Sequence, residues 1–284
     1  MLTLAMNKCA RPDWTLLIVD GQNDFRDSRR AALPIPGATA DLRRLARLVH
    51  RHQARIHAVV ATLDSQPQVA IERVSFWKRG DGTPVAPFTQ VSLEQVDSGR
   101  LLPRNPALLP TVRQYLRALD ARGRKHTIWP VHGVIGTWGH ALCPSLARAI
   151  GAWEEHTQRQ ALKILKGLNP LTEQFSAVRA EVPRADDPGT QINQELIEAV
   201  RPHRGYLLIG GEAASHCVAD TARDVTADFA SEQMQRVILL TDCMSTIPGC
   251  EAATERFFSE MSHRGARLMK STEVAQLPVA ESLS

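Results

Sequence analysis

The sequence predicts an α/β domain built as a three-layer sandwich, a mainly parallel sheet between two layers of helices. Three observations point there. Short apolar runs of strand length recur along the chain. Segments with a helical apolar period separate most of them, and that alternation is the mark of strand–helix–strand units whose strands lie parallel. Several runs also end on a residue with chemistry or a tight turn: Asp20, Asp64, Lys166 and the Gly210-Gly211 pair. In open parallel sheets the carboxyl ends of the strands are where ligands bind.

Residues 14–20, Trp-Thr-Leu-Leu-Ile-Val-Asp, are apolar and β-branched enough to form a buried strand. Residues 38–53 bring Leu42, Leu45, Ala46 and Val49 onto one helical face. Residues 56–64 form a second buried strand, closing again on an acid, Asp64. The stretch 66–110 then breaks the rhythm with Pro67, Pro84, Pro87, Pro103, Pro106 and Pro110 and with Gly80, Gly82 and Gly99. It is expected to be an insertion, serving as a lid or an oligomer contact, within a single domain spanning 1–284. The rhythm resumes with a helix over 111–119, a short strand over 127–129, a helix over 145–155 and a strand over 161–166. After a polar loop at 183–189 come a helix over 191–200, a strand over 206–209 and a helix over 218–230. A strand over 237–242, a helix over 251–264 and a short strand over 266–269 complete the pattern.

Composition narrows the class of function. Apolar residues make up 43% and charged residues 23%, ordinary for a soluble globular protein with a sizeable core. The net charge of +4 comes from basic residues that are scattered along the chain, which argues against nucleic acid and against a membrane surface as partners. The cysteines are Cys9, Cys143, Cys217, Cys243 and Cys250, an odd set with no CxxC pair. That argues against a disulfide scaffold and points to a reducing cytoplasm. The first residues lack the charged-then-apolar layout of a secretory signal, and no run approaches the length of a membrane span.

Among the cysteines, Cys217 has the strongest claim to chemistry. It follows an apolar run and a glycine pair and opens a helix, where the backbone dipole favours a thiolate. A nucleophilic thiol needs a proton acceptor and a charge to bias it. Asp20 is a candidate base, Lys166 a candidate cation, and the amides of the 213–217 turn are candidate oxyanion donors. On an alternating strand Lys163 faces away from Lys166. Each residue alone has a plainer reading: a buried cysteine is usually a small hydrophobe, and an aspartate after a strand often caps a turn. His216, beside Cys217, is expected to point away from the triad. Gln22 and Asn23 are candidates to orient the Asp20 carboxylate.

Four motifs in order add to this. Leu16-Leu-Ile-Val-Asp-Gly-Gln-Asn-Asp-Phe25, Trp129-Pro-Val-His-Gly-Val-Ile-Gly-Thr-Trp-Gly139, Leu165-Lys-Gly-Leu-Asn-Pro170 and Gly211-Glu-Ala-Ala-Ser-His-Cys-Val218 resemble those of the isochorismatase-like cysteine hydrolases, which include the nicotinamidases. The resemblance spans roughly residues 14 to 272. It implies the isochorismatase-like fold and a triad of Asp20, Lys166 and Cys217. It also implies a non-proline cis peptide at Glu212–Ala213, which together with Cys217 would present oxyanion donors. The implied reaction is cleavage of the C–N bond of a small carboxamide substrate through a cysteine thioester. Phe25, Trp77 and His132 are candidate substrate contacts.

Relatives of this kind hold a metal through an Asp-x-His pair and a later His. Here Asp64 and His132 match two of those positions, but Gln66 replaces the other His. Glutamine is a weak neutral ligand, so the expectation is no firm cofactor, and at most a weakly bound divalent metal such as zinc. The family also implies a homodimer or homotetramer. Two other functions are weighed: vinyl-ether hydrolysis of the isochorismatase kind, against which Cys217 counts, and a catalytically silent binding protein.

Overall fold

The computed structural model describes residues 13–202 and 204–279. Cys9 and the first residues lie outside them. The chain starts in the middle of the sheet with β1 (Trp14–Val19), crosses α1 (Ala38–Arg51) and returns as β2 (Ile56–Asp64). The stretch that breaks the rhythm contains β3 (Trp77–Arg79), β4 (Gln90–Val91), α2 (Leu93–Asp97) and β5 (Leu101–Pro103). Next come α3 (Leu109–Asp120), β6 (His126–Thr127), α4 (Pro144–Thr157), β7 (Leu162–Lys166) and α5 (Gln194–Val200). β8 (Tyr206–Gly211), α6 (Cys217–Val225), α7 (Ser231–Met234), β9 (Val237–Leu240), α8 (Glu251–His263) and β10 (Arg267–Met269) complete the fold.

The main sheet runs β10-β9-β8-β1-β2-β7, every pairing parallel. The chain builds β2 and β7 to one side of β1 and then returns to build β8, β9 and β10 on the other. That reversal puts a crevice at the carboxyl ends of β1 and β8.

Alternation along β1 assigns its side chains to two cores. Leu16 and Ile18 pack with Leu42, Leu45 and Val49 of α1 and with Leu146 and Trp153 of α4. Leu17 and Val19 face the opposite way, toward Leu196 of α5, Val218 and Ala222 of α6 and Phe257 of α8. The sheet is thus covered on both faces.

The proline- and glycine-rich stretch packs a core of its own. Ile71, Phe76, Trp77, Val91, Val96 and Leu101 meet Val112, Tyr115, Leu116 and Leu119 of α3. β3 pairs antiparallel with β5, and β4 with β6. These strands are two or three residues long, too short to give a periodic signal in the sequence. The backbone at 71–74 then docks on the main body: Ile71 N donates to Pro170 O (2.8 Å) and Val74 N to Trp129 O (3.2 Å).

Among the described residues, no helix is long and apolar enough to cross a membrane.

Candidate active site

Four strand ends deliver the site. Asp20 follows β1, Asp64 ends β2, Lys166 ends β7, and Cys217 opens α6 after β8. The registers align them: Asp64 and Lys166 are direct partners across β2 and β7. Lys163 lies on the exposed face of β7 near Glu154, while Lys166 is buried.

Lys166 Nζ is the hub. It lies 3.0 Å from Asp20 Oδ2 and 3.1 Å from Asp64 Oδ1. It also donates to Gln174 O at 3.1 Å and approaches Cys217 Sγ at 3.6 Å. Asp20 adopts φ 47°, a left-handed backbone that L residues rarely take. Its amide points to Thr62 Oγ1 (3.1 Å), and that hydroxyl donates to Asp20 Oδ1 (2.6 Å). Thr62 therefore orients the carboxylate. Gln22 and Asn23 do not: Gln22 exchanges hydrogen bonds with the Asp64 backbone, and Asn23 donates to Trp138 O. The buried interior of β2 hid Thr62 among apolar neighbours.

Burial governs the charges. It pushes the Asp20 carboxyl up, with Lys166 opposing. It also works against the Lys166 ammonium, but Asp20, Asp64 and Cys217 together hold that group charged, well above the ordinary lysine range. Burial first, then Asp20 and Asp64, push the Cys217 thiol well up, against the pull of Lys166. Desolvation beside two carboxylates thus works against the thiolate that the helix terminus and Lys166 favour.

The peptide Glu212–Ala213 is cis. The amides of Ala213 and Cys217, both in the turn that carries the thiol, donate to no acceptor among the described residues. Glu212 offers none, since its amide is spent on Val19 O at 2.9 Å. Its carboxyl is buried and accepts from Ser245 N (3.2 Å); burial, and after it Asp41, push that group well above the carboxylate range.

A small cavity opens over Cys217 and Lys166. Phe25, Trp129 and Phe175 form its aromatic walls, with His132, His216 and Glu173 as polar lining. Two candidate contacts thus lie at the cavity: Phe25, and His132, whose ring meets Phe25 edge-on at 5.4 Å. Trp77 does not. It is wholly buried in the insertion's core, with its indole N–H on Ile71 O. His216 is also corrected: it faces the cavity, packed against Trp129 and Phe175 at 5.3 Å each. Burial lowers its pKa to about 4, so the ring is neutral. Trp129 opens the second motif and Glu173 and Phe175 follow shortly after the third, and those positions were the available signal for them.

The trio that would hold a metal is otherwise engaged. Asp64 Oδ1 accepts from Gln66 Nε2 (3.0 Å) and Lys166 Nζ (3.1 Å), and Oδ2 lies 3.1 Å from His132 Nε2. The fully buried Arg73 reaches in from the insertion. Its Nη1 donates to His132 Nδ1 (2.5 Å), its Nη2 lies 3.7 Å from Asp64 Oδ2, and its Nε donates to Glu72 Oε1 (3.0 Å). His132 Nδ1 also lies 2.8 Å from Pro130 O, so a donor and an acceptor meet at the same ring nitrogen. Asp64 is held far below the carboxylate range by Lys166, His132 and Arg73, which together overcome burial. Burial raises Glu72 to about 7 and Glu173 well above its ordinary value. Glu173 Oε2 is buried without a hydrogen-bond partner among the described residues. These residues do not fit a divalent cation: both Asp64 oxygens are engaged, and the Lys166 ammonium and Arg73 guanidinium bring fixed positive charge to the same corner. No group of three or more His, Cys, Asp or Glu among the described residues could hold a metal.

No protein-family model and no curated protein sequence matches the chain. Solved structures do. The yeast nicotinamidase superposes with a TM-score of 0.62 at 20% identity, over 90% of this chain and 99% of that one. A pyrazinamidase of Pyrococcus horikoshii, solved in complex with zinc, gives 0.53 at 21% identity, over 91% and 99%. An isochorismatase-like hydrolase from Alkaliphilus metalliredigens gives 0.50 at 17% identity, over 93% and 98%. The parallel six-stranded sheet with helices on both faces is shared with these structures.

Proposed function

We propose that this chain, which has the isochorismatase-like fold, is an amidohydrolase that cleaves the C–N bond of a small carboxamide through a thioester on Cys217. The single observation that carries the reading is the Asp20–Lys166–Cys217 arrangement, 3.0 and 3.6 Å between successive groups, with two unspent amides in the turn that carries the sulfur.

The chemistry follows from the charges. The Cys217 thiol is pushed up, and Asp20, its basicity raised by burial, takes the thiol proton as Sγ attacks the amide carbonyl carbon. Negative charge grows on the carbonyl oxygen, where the Ala213 and Cys217 amides can receive it. Asp20 then gives its proton to the departing amine as the C–N bond breaks. A water, deprotonated by Asp20, attacks the thioester and returns the acid and the free thiol. Lys166 stays protonated throughout and keeps two carboxylates compatible at short range.

The aromatic walls favour a planar substrate, with nicotinamide as the first candidate. Likeness to nicotinamidases and a pyrazinamidase supports the same choice. The test is ammonia release across a panel of small carboxamides, nicotinamide and pyrazinamide among them. Turnover of at least one is expected, lost by a factor of about 1,000 or more in Cys217→Ala. A Cys217→Ala protein that released ammonia at the wild-type rate would sink the covalent route.

A further inference from the structure

We propose that Arg73 supplies the fixed positive charge beside Asp64 and His132 in place of a metal ion, and that its guanidinium keeps this site closed to divalent cations. The inference goes beyond the amidohydrolase reading, because it concerns what the Asp64–Gln66–His132 corner can bind.

The strand-end geometry alone would leave a plausible metal corner, with an aspartate and a histidine 3.1 Å apart. Arg73 changes it in two ways. Its Nη1 lies 2.5 Å from His132 Nδ1 and, with Pro130 O at 2.8 Å, fixes the ring beside Asp64. The guanidinium also brings a permanent charge within 3.7 Å of Asp64 Oδ2, with the Lys166 ammonium 3.1 Å from Oδ1. A divalent ion at this corner would sit between two fixed cations.

Arg73 is held there firmly. Its Nε donates to Glu72 Oε1 (3.0 Å), Nη1 donates also to Pro130 O (3.1 Å), and its backbone pairs with Trp129. The side chain is fully buried, and Nη2 has no hydrogen-bond partner among the described residues although it lies near Asp64. Arg73 is therefore a positioning residue. It orients the His132 ring on the cavity wall and balances Asp64, and the insertion is the element that delivers it.

Gln66 separates this account from the simpler one in which a missing histidine ligand explains weak metal binding. Purified wild-type, Gln66→His and Gln66→His/Arg73→Ala proteins are titrated with cobalt(II), read by visible absorption, and with zinc, read by calorimetry. Elemental content is measured after dialysis. Wild-type and Gln66→His proteins are expected to retain less than about a tenth of an equivalent, and the double variant about one, with the d–d bands of a nitrogen- and oxygen-ligated cobalt site. Gln66→His/Arg73→Met keeps a side chain in the space should the alanine variant fold poorly, as judged by circular dichroism. Stoichiometric metal in wild-type or Gln66→His protein would overturn the proposal, and so would a folded double variant that binds none. Metal uptake is read without turnover, so its failure is distinguishable from failure of the amidohydrolase reading.

Discussion

At the scale of single residues, the site is a problem in desolvation. Asp20, Asp64 and Lys166 are buried together, and Cys217 joins them at a strand end where water is scarce. Asp20 raises the thiol pKa by its charge. Asp20→Asn removes that charge. It is expected to do two opposite things: abolish amide turnover, for want of a proton acceptor, and speed iodoacetamide alkylation of Cys217 at pH 7, because the thiolate fraction rises. Measuring alkylation rate against pH in both proteins checks this. Wild-type alkylation should climb only above the free-thiol range of about 8.5. An Asp20→Asn protein alkylated more slowly than wild type would contradict the assignment of Asp20 as the thiol's partner.

At the scale of elements, the close approach of β8 to β1 sets where Cys217 stands. Gly211 ends β8 with φ 128°, and a Cβ built there would lie 1.9 Å from Val19 O. No side-chain rotation relieves a clash with backbone, so the strand must shift. Gly211→Ala is expected to destabilise the fold by about 3 kcal/mol or more, read as a lower midpoint in urea. Any folded fraction should lose turnover, since β8 leads directly into the turn that carries Ala213 and Cys217. A variant with wild-type midpoint and turnover would show that the turn tolerates the shift. The cavity wall is likewise an element-level product: Phe25 comes from the loop after β1, Trp129 from the stretch after β6 and Phe175 from the loop after β7.

At the scale of the whole molecule, the insertion is cemented to the rest through His126. Its Nε2 lies 2.9 Å from Ile71 O and its Nδ1 3.2 Å from Tyr115 Oη, while the ring packs on Trp77 and Tyr115. Burial lowers its pKa to about 4. The folded protein therefore binds fewer protons there than the unfolded chain between about pH 6.5 and 4. Stability contributed by the neutral ring is present above pH 6.5 and lost as pH falls through that window. The loss is on the order of 3 kcal/mol in all. Thermal midpoints from pH 7.5 to 4 should fall along this limb, and His126→Gln should flatten it. An unchanged acid limb in that variant would assign the loss to other groups.

The sequence by itself determined the strands, the helices that cover them and the residues at the strand ends. Apolar runs and periodic faces are local properties, and Asp20, Asp64, Lys166 and Cys217 sit at fixed offsets from them. Only the tertiary structure decided which way the Cys217 thiol is pushed, because desolvation depends on what the fold brings around a group. It also decided that Trp77 belongs to a core and His216 to the cavity, a matter of which way a side chain turns. Thr62 and Arg73 were illegible for a related reason. One is a polar residue within a buried strand, and the other lies in an insertion with no periodic pattern. Their partners, Asp20 at a separation of 42 residues and His132 at 59, are found only once the chain has folded.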